Sequence, residues 1–322
     1  MTVTKQMFYQ CLQRMNCYIP FEQTYGWNEF KATAGVQFIY FVDNTETPMQ
    51  ACFGRVYHKK IAGCIVDICG EVKKEGVSKR QITQFFKSII EDAHASMITY
   101  NSINIYRVED EIGIRCAGFI RPWGNRVCPL TQIIPVQEER NHDSDWRRNL
   151  KKAKKAELTF EMVNIPTDND AALFTHLFDE LKQRKHLGFS VEKDKIAALL
   201  HQPEFKLCYA RYEDRVVCAR IIYVHHKQAA DVFAANSFKA MKCSATHFIM
   251  ENIFEWLKGQ GIEIFDFSRI SPSANETNSI YQFKDAAGGY PVQYLGEWIW
   301  TKKESTRLLF ALYNFFTCKH SY

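Results

Sequence analysis

The 322-residue sequence contains no Gly-x-x-x-x-Gly-Lys loop, no Gly-x-Gly-x-x-Gly turn and no Gly-x-Ser-x-Gly elbow. The common phosphate-loop, dinucleotide-binding and α/β-hydrolase signatures are therefore missing. No His-Glu-x-x-His occurs, and the one adjacent histidine pair, His225-His226, ends a strand. Neighbours on a strand point to opposite faces, so the pair is not expected to share an ion, and no metal site is expected. The eleven cysteines include no Cys-x-x-Cys pair; Cys52, Cys64, Cys69, Cys208 and Cys218 are scattered among apolar positions, which suits buried reduced thiols better than a disulfide framework. No apolar run approaches the ~18 residues of a membrane span. Met1 to Gln10 lacks the charged-then-apolar order of a signal peptide. These absences make a cytoplasmic, soluble protein the expectation, with any membrane contact peripheral.

What is present points to an ordered protein of two moderate domains. The hydrophobic fraction is 46%, enough for sizeable cores. The formal charge of +5 is too small for a dedicated nucleic-acid binder but suits an anionic substrate such as a phosphate ester.

Along the chain, 37–42, 49–57 and 61–69 read as strands, being short, rich in β-branched or aromatic residues and bounded by turn formers. A helix over 78–98 follows, with Ser78 as N-cap and Ile82, Phe85, Phe86, Ile89, Ile90, Ala93 and Met97 on one stripe. A strand over Ser102–Arg107 comes next. The order then recurs: strands at 206–212, 216–225 and 229–235, a helix near 243–258 stopped by Gly259 and Gly261, and a strand at 262–267. The recurrence predicts an internal duplication, with domains at 1–142 and 143–322.

Between the halves, Asp143–Asp145 can cap a cationic helix, Arg147–Lys155. Its like charges four apart cost only a few tenths of a kcal/mol each, so a solvated face is the simple reading and contact with the phosphates of RNA or an anionic lipid the alternative. A last amphipathic helix, 304–318, places Leu308, Leu309, Leu312, Phe315 and Phe316 on one side. Packing at a domain seam is the expectation, and a surface for a lipid-linked substrate the rival.

The richest segment is 263–300. A buried strand ends in Asp266 and Arg269, a polar loop follows, and a short helix carries Tyr281-Gln282-Phe283-Lys284 before Gly288-Gly289 and a final strand. Charged groups at the carboxyl end of a buried strand are where α/β folds place ligands. An Asp-Arg pair there could equally pin the loop.

The order Asp-Phe-x-Arg, polar loop, Phe-Lys, Gly-Gly resembles the carboxyl-terminal signature of the FemABX peptidyltransferase family. Trp27 to Lys31 followed by Gly35 is similar to that family's amino-terminal Trp-x-x-x-Lys motif. Leu181-Lys182-Gln183-Arg184 followed by Gly188-Phe189 is similar to its Arg…Gly-Phe segment. The resemblance implies an α/β (α+β) fold of two tandem GNAT-like (acyl-CoA N-acyltransferase) domains. It implies that Lys31 and Arg184 bind the diphosphate of a nucleotide-linked precursor, that Phe283 lines the substrate and that Lys284 stabilises developing negative charge. Phe233, Asp266 and Arg269 join them as candidate substrate contacts. The chain departs from the family in its donor strand, Asp231-Val232-Phe233-Ala234-Ala235-Asn236, which lacks the usual tyrosines and glycine. It has Arg107-Val108-Glu109-Asp110 where an Asp-Pro is usual, leaving Glu109 and Asp110 as candidates for the general base. Lys239 to Ala245 is not a glycine-rich pyrophosphate loop, so coenzyme A lacks its backbone cradle.

The expectation is thus an aminoacyl- or acyltransferase acting on an amine of a peptidoglycan or polysaccharide precursor. Its donor would be an aminoacyl-tRNA or acyl thioester, with no resident cofactor. Rival readings are an acetyl-CoA-dependent N-acetyltransferase of a sugar nucleotide or small amine, and a non-catalytic RNA- or membrane-binding module working through 147–155.

Overall fold

The computed structural model describes residues 1–33, 36–60, 62–124, 126–272 and 279–317, so Gly35 and the centre of the polar loop, 273–278, lie outside the described residues. The strands before the midpoint are β1 Thr2–Val3, β2 Gln37–Val42, β3 Gln50–Lys59, β4 Gly63–Cys69, β5 Val72–Lys73, β6 Met97–Ile105 and β7 Leu130–Pro135. After it come β8 Thr159–Met162, β9 Phe205–Tyr212, β10 Arg215–His225, β11 Gln228–Asn236, β12 Ile264–Ile270 and β13 Tyr290–Thr301. The helices of the first half are α1 Lys5–Met15, α2 Tyr25–Lys31, α3 Lys79–Ala93 and α4 Val108–Cys116. Those of the second are α5 Ser144–Lys155, α6 Asp168–Lys185, α7 Lys193–Leu200, α8 Phe238–Lys242, α9 Ala245–Gly259, α10 Ser279–Ala286 and α11 Glu304–Thr317.

The strands form one path, β1-β2-β3-β4-β6-β13-β7-β12-β11-β10-β9-β8, with β5 on β3. The predicted repeat is visible in it. β2-β3-β4-α3-β6 and β9-β10-β11-α9-β12 have the same order, each with two antiparallel pairings and then one parallel pairing across a helical crossover. The closing strands are shared between the halves. β7 pairs on both sides with strands of the second half, β12 and β13. β13 pairs with β7 over Tyr290–Gln293 and then with β6 from Tyr294 to Thr301. Gly288 and Gly289 make the turn into β13 at φ 88° and 85°, and a Cβ at Gly289 would collide with the Ile133 carbonyl. Only glycine serves there.

Local rules explain most helix limits. Ser78 and Gln81 form a capping box at the start of α3, which buries Ile82, Phe85, Phe86 and Ile89. The helix ends earlier than predicted, because His94 turns left-handed (φ 47°) and Met97 opens β6 instead. Asp143 caps α5 by accepting from the amides of Asp145 and Trp146. Only Trp146 and Ala153 of that helix are buried, so its lysines form a solvated face.

Helix α11 departs from its predicted role. Seam packing was expected of its apolar side, yet Leu308, Leu309, Leu312, Phe315 and Phe316 are all exposed, and the buried position is Asn314. No helix among the described residues is long and apolar enough to cross a membrane. The ten described cysteines are unbridged.

The halves are stitched together by the segment after α1. The Tyr223 hydroxyl donates to the Ile19 carbonyl (2.8 Å), and the Ile19 amide donates to His225 Nδ1 (3.2 Å). That bond fits a neutral ring, and burial with the neighbouring His226 pushes His225 down to about 4. Helix α2 then lies against the end of α7. A Cβ on Gly26 would stand 2.6 Å from Gln202 Cγ and 3.2 Å from Phe205 Cε2. Gly26→Ala gains helix propensity but forces this contact apart. We expect a net loss of about 1 kcal/mol, seen as a lower urea midpoint at unchanged slope.

Candidate active site

Strand β12 defines the site. It runs parallel to β11 from Gln228↔Ile264 to Ala230↔Asp266, and there the pairing stops although both strands continue. The equivalent pair in the first half, β4 and β6, stays joined through Cys69↔Asn101, the last residue of β4. The second half therefore has an opening between parallel strands where the first half has none. At the same point the register of β12 against β7 shifts between Asp266 and Arg269, and Ser268 takes φ 60°. A non-glycine residue in this region costs roughly 1 kcal/mol, and the surroundings hold it in place. The Ser268 amide donates to Asp266 Oδ1 (2.7 Å), and its hydroxyl reaches across the opening to the Asp231 carbonyl (2.6 Å).

Lys284, on α10, closes this bulge from the side. Its ammonium donates to the carbonyls of Phe267 (2.6 Å), Ser268 (3.3 Å) and Arg269 (2.8 Å). An ammonium has three donors, so the set is fully used. Burial lowers the Lys284 pKa, with Asp231 pulling the other way. Phe283 turns inward onto Trp146, His247 and Phe267, at ring distances of 5.2, 5.1 and 6.1 Å. The Arg220 guanidinium lies over its ring at 5.6 Å.

Asp266 accepts from the Thr131 hydroxyl (2.5 Å) and from the Tyr294 hydroxyl as well as from Ser268. Burial nevertheless holds its carboxyl above the usual range. Arg269 donates to the Cys128 carbonyl (3.0 Å) and Asn101 Oδ1 (2.9 Å), tying the end of β12 to β6. Each residue of this Asp-Arg pair fixes local structure, and together they put a carboxyl and a guanidinium beside the seam.

Two features here had no counterpart in the sequence reading. The first is Glu22, on the 3-10 turn Phe21–Gln23. It is partly exposed as a residue, but its Oε2 is shut off from solvent and has no hydrogen-bond partner. Burial pushes its carboxyl up to about 8, and the charges acting on it are Arg269, Asp266 and Lys31. The second is the ion pair Arg220–Asp231 (2.6 Å), with side chains 4% and 11% exposed. Arg220 Nε and Asp231 Oδ1 have no hydrogen-bond partner among the described residues. A lone arginine within Val-Val-Cys-Ala-Arg-Ile-Ile-Tyr-Val, answered by an aspartate within Ala-Ala-Asp-Val-Phe, was the available signal. Glu22 carried none.

The other predicted residues lie on the aromatic flank of the opening. Lys31 Nζ sits 4.8 Å from the Trp27 ring centre and 5.4 Å from that of Phe30. Burial and the nearby Arg55 lower its pKa. Phe233, on β11, packs against the same two rings at 6.0 and 5.4 Å. Arg184, at the end of α6, donates to the side chain and the carbonyl of Asn236, the last residue of β11. Lys31 and Phe233 thus share one cluster, and Arg184 is fixed three residues along the strand from Phe233. Through Glu22, Lys31 is electrically linked to Asp266 and Arg269, and through Asp266 to Lys284. The candidate bases Glu109 and Asp110 stand apart. Asp110 is buried against Lys73 of β5 (2.5 Å), and Glu109 is exposed beside Arg107. Among the described residues no three His, Cys, Asp or Glu side chains converge to hold a metal ion.

Residues 140–284 match the acetyltransferase (GNAT) domain family, a match that ends on Lys284. A comparison with curated protein sequences gives no match. Among solved structures, FemX superposes with a TM-score of 0.76 at 11% identity, covering 97% of this chain and 99% of that one. L-PGS from Bacillus licheniformis gives 0.62 at 12% identity, covering 99% and 98%. The C-terminal domain of a candidate lysylphosphatidylglycerol synthetase from Agrobacterium fabrum gives 0.62 at 13%, covering 96% of each. With two copies of the strand–helix–strand unit, a GNAT match over the second and whole-length agreement with FemX, this chain has the FemABX-like tandem GNAT fold.

Proposed function

We propose that the protein is an acyl- or aminoacyltransferase that moves an acyl group onto an amine of a cell-envelope molecule. The observation that carries this reading is the opening between β11 and β12. It is flanked by Lys284 and the Arg220–Asp231 pair on one side, and by Glu22, Asp266, Arg269 and Lys31 at the seam. Aminolysis of an ester or thioester needs a place for an acyl carbonyl, a cation or amide near its developing oxyanion, and an acceptor for the amine's proton. In the reaction we infer, the amine nitrogen bonds to the acyl carbon and the carbonyl electrons move onto oxygen. Their return expels the donor's oxygen or sulfur. The amine's proton passes to Asp266 or Glu22, whichever of the two seam carboxyls has ionised, and returns to the leaving group. Lys31 and Arg184 are the cations for a diphosphate or phosphate on the acceptor, and Phe233 the ring beside it. The neighbours in fold support the envelope as the source of that acceptor, since lysylphosphatidylglycerol is by name an aminoacylated lipid.

The test is transfer of radiolabelled amino acids from a pool of charged tRNAs to either a nucleotide-linked cell-wall precursor or phosphatidylglycerol. Label in either acceptor is the expected result, with at least tenfold less after Lys31→Ala. No transfer from any charged tRNA, together with micromolar binding of acetyl-CoA by calorimetry, would replace this reading by that of an N-acetyltransferase.

A further inference from the structure

Helix α11 is built inside out. The arc holding Leu308, Leu309, Leu312, Tyr313, Phe315 and Phe316 spans roughly half the helix circumference, and these six side chains are 47–68% exposed. The opposite side holds Arg307, Phe310 and Asn314, and Asn314, only 1% exposed, donates weakly to the Trp123 carbonyl (3.5 Å). Globular helices bury the apolar arc and expose the polar one, so an outward apolar arc marks a contact surface. Trp123, 82% exposed, stands beside it. Between them opens a groove of about 660 Å³ lined by Ile120, Pro122, Trp123, Ile299, Leu308 and Phe310, with Arg121 and Arg307 also lining it.

The charges around this surface have one sign in excess. Lys302 and Lys303, at the head of the helix, are exposed and have no ion-pair partner among the described residues. The single acid of the helix, Glu304, is taken up by Arg307, and the nearby Arg121 and Arg126 are held by Glu111 and Glu297, so the excess rests on Lys302 and Lys303. A second copy of the chain would bring the same unpaired lysines and no free carboxylate from this helix. An anionic bilayer offers what the surface lacks: phosphates for the lysines, hydrocarbon for the leucines and phenylalanines, and a headgroup layer for Trp123.

We propose that α11, with Trp123 and Lys302–Lys303, is an interfacial helix that seats the protein on an anionic membrane surface. The inference stands apart from the proposed reaction, and its test does not read activity. The full chain is sedimented with vesicles of phosphatidylcholine alone or mixed equally with phosphatidylserine, an anionic lipid that is not a candidate acceptor. Binding to the mixed vesicles is expected, weaker on phosphatidylcholine, and reduced by salt. Lys302→Gln with Lys303→Gln should weaken it about fivefold per lysine. Leu312→Ser with Phe316→Ser, at exposed positions where the melting temperature should not change, should weaken it at least tenfold. Three results would overturn the idea. The wild type could fail to bind the mixed vesicles, or the Leu312/Phe316 variant could bind as well as the wild type while Lys151→Gln with Lys155→Gln abolishes binding. The third is sedimentation velocity showing a dimer that this apolar variant dissolves.

Discussion

Lys284→Met should lose both stability and turnover, and the two losses can be separated. The wild-type ammonium satisfies three carbonyls where β12 leaves its neighbours, at Phe267, Ser268 and Arg269. Methionine matches its length without its donors, so carbonyls in a largely buried bulge lose their partners. A charge-assisted bond lost at a buried carbonyl costs about 1.5–3 kcal/mol, and the set should cost about 3 kcal/mol in all because water can reach part of it. For a chain of this size that lowers the melting temperature by several degrees. Lys284→Arg should recover little, since a planar fork cannot converge on three carbonyls of one bulge. Turnover should fall by about two orders of magnitude at a temperature where both proteins are fully folded, the loss typical of a missing oxyanion donor. The geometry sharpens what this result would mean. With three donors engaged, Lys284 can reach an oxyanion only by releasing one carbonyl; otherwise it acts by holding Ser268 and Asp266 in place. A folded Lys284→Met protein with wild-type turnover would remove both roles. If Lys284→Met lost its activity only in proportion to its unfolded fraction, the residue would be purely structural.

How far the sequence could be read follows from which forces are local. The repeat, the strands and the capping of α3 and α5 were legible because alternation, apolar stripes and caps act over a few residues. The Asp266–Lys284 segment stood out as a candidate for a related reason, since charged groups at the end of an apolar strand are conspicuous. The sharing of β7 and β13 was not, because the choice between two sheet edges depends on strands more than a hundred residues away. Nor was the outward face of α11: the stripe of Leu308 and Leu312 gives the helix but not the direction in which it faces. The Arg220–Asp231 pair needed the register of β10 on β11, which brings two isolated charges from separate apolar runs together. Glu22 was least visible of all. It sits in an ordinary Phe-Glu-Gln turn, and only packing against the second half makes its carboxyl unusual.

That carboxyl should make stability fall as pH rises through neutrality, the reverse of the usual acid loss. The folded state holds the Glu22 proton up to about 8, whereas an unfolded glutamate releases it near 4.5. Between these values the folded protein binds the extra proton. Its contribution is therefore fully present below about 4.5 and lost as pH passes through about 8. The shift corresponds to a loss on the order of 3–5 kcal/mol across that window if Glu22 acts alone. Asp266 shifts in the same direction, again through burial, and adds to the slope at the acid end. Arg269 and Lys31 oppose the shift at Glu22 without cancelling its burial. Glu22→Gln keeps the shape and removes the titration. Compared with the wild type at each pH, its urea stability should rise from pH 5 to about 8 and exceed that of the wild type at the alkaline end; the buried rings of His225 and His247, which favour folding as pH rises, act equally in both proteins. The same substitution bears on the reaction. If Glu22 takes the amine's proton it must first ionise, so wild-type turnover should climb toward about pH 8 while the glutamine variant stays inactive throughout. If Asp266 does, the variant should keep its rate and lose only the part of the pH profile set by Glu22. A wild-type protein whose stability does not decline relative to Glu22→Gln from pH 5 to pH 8.5 would show that the Glu22 carboxyl is reached by water and is not held neutral at the seam.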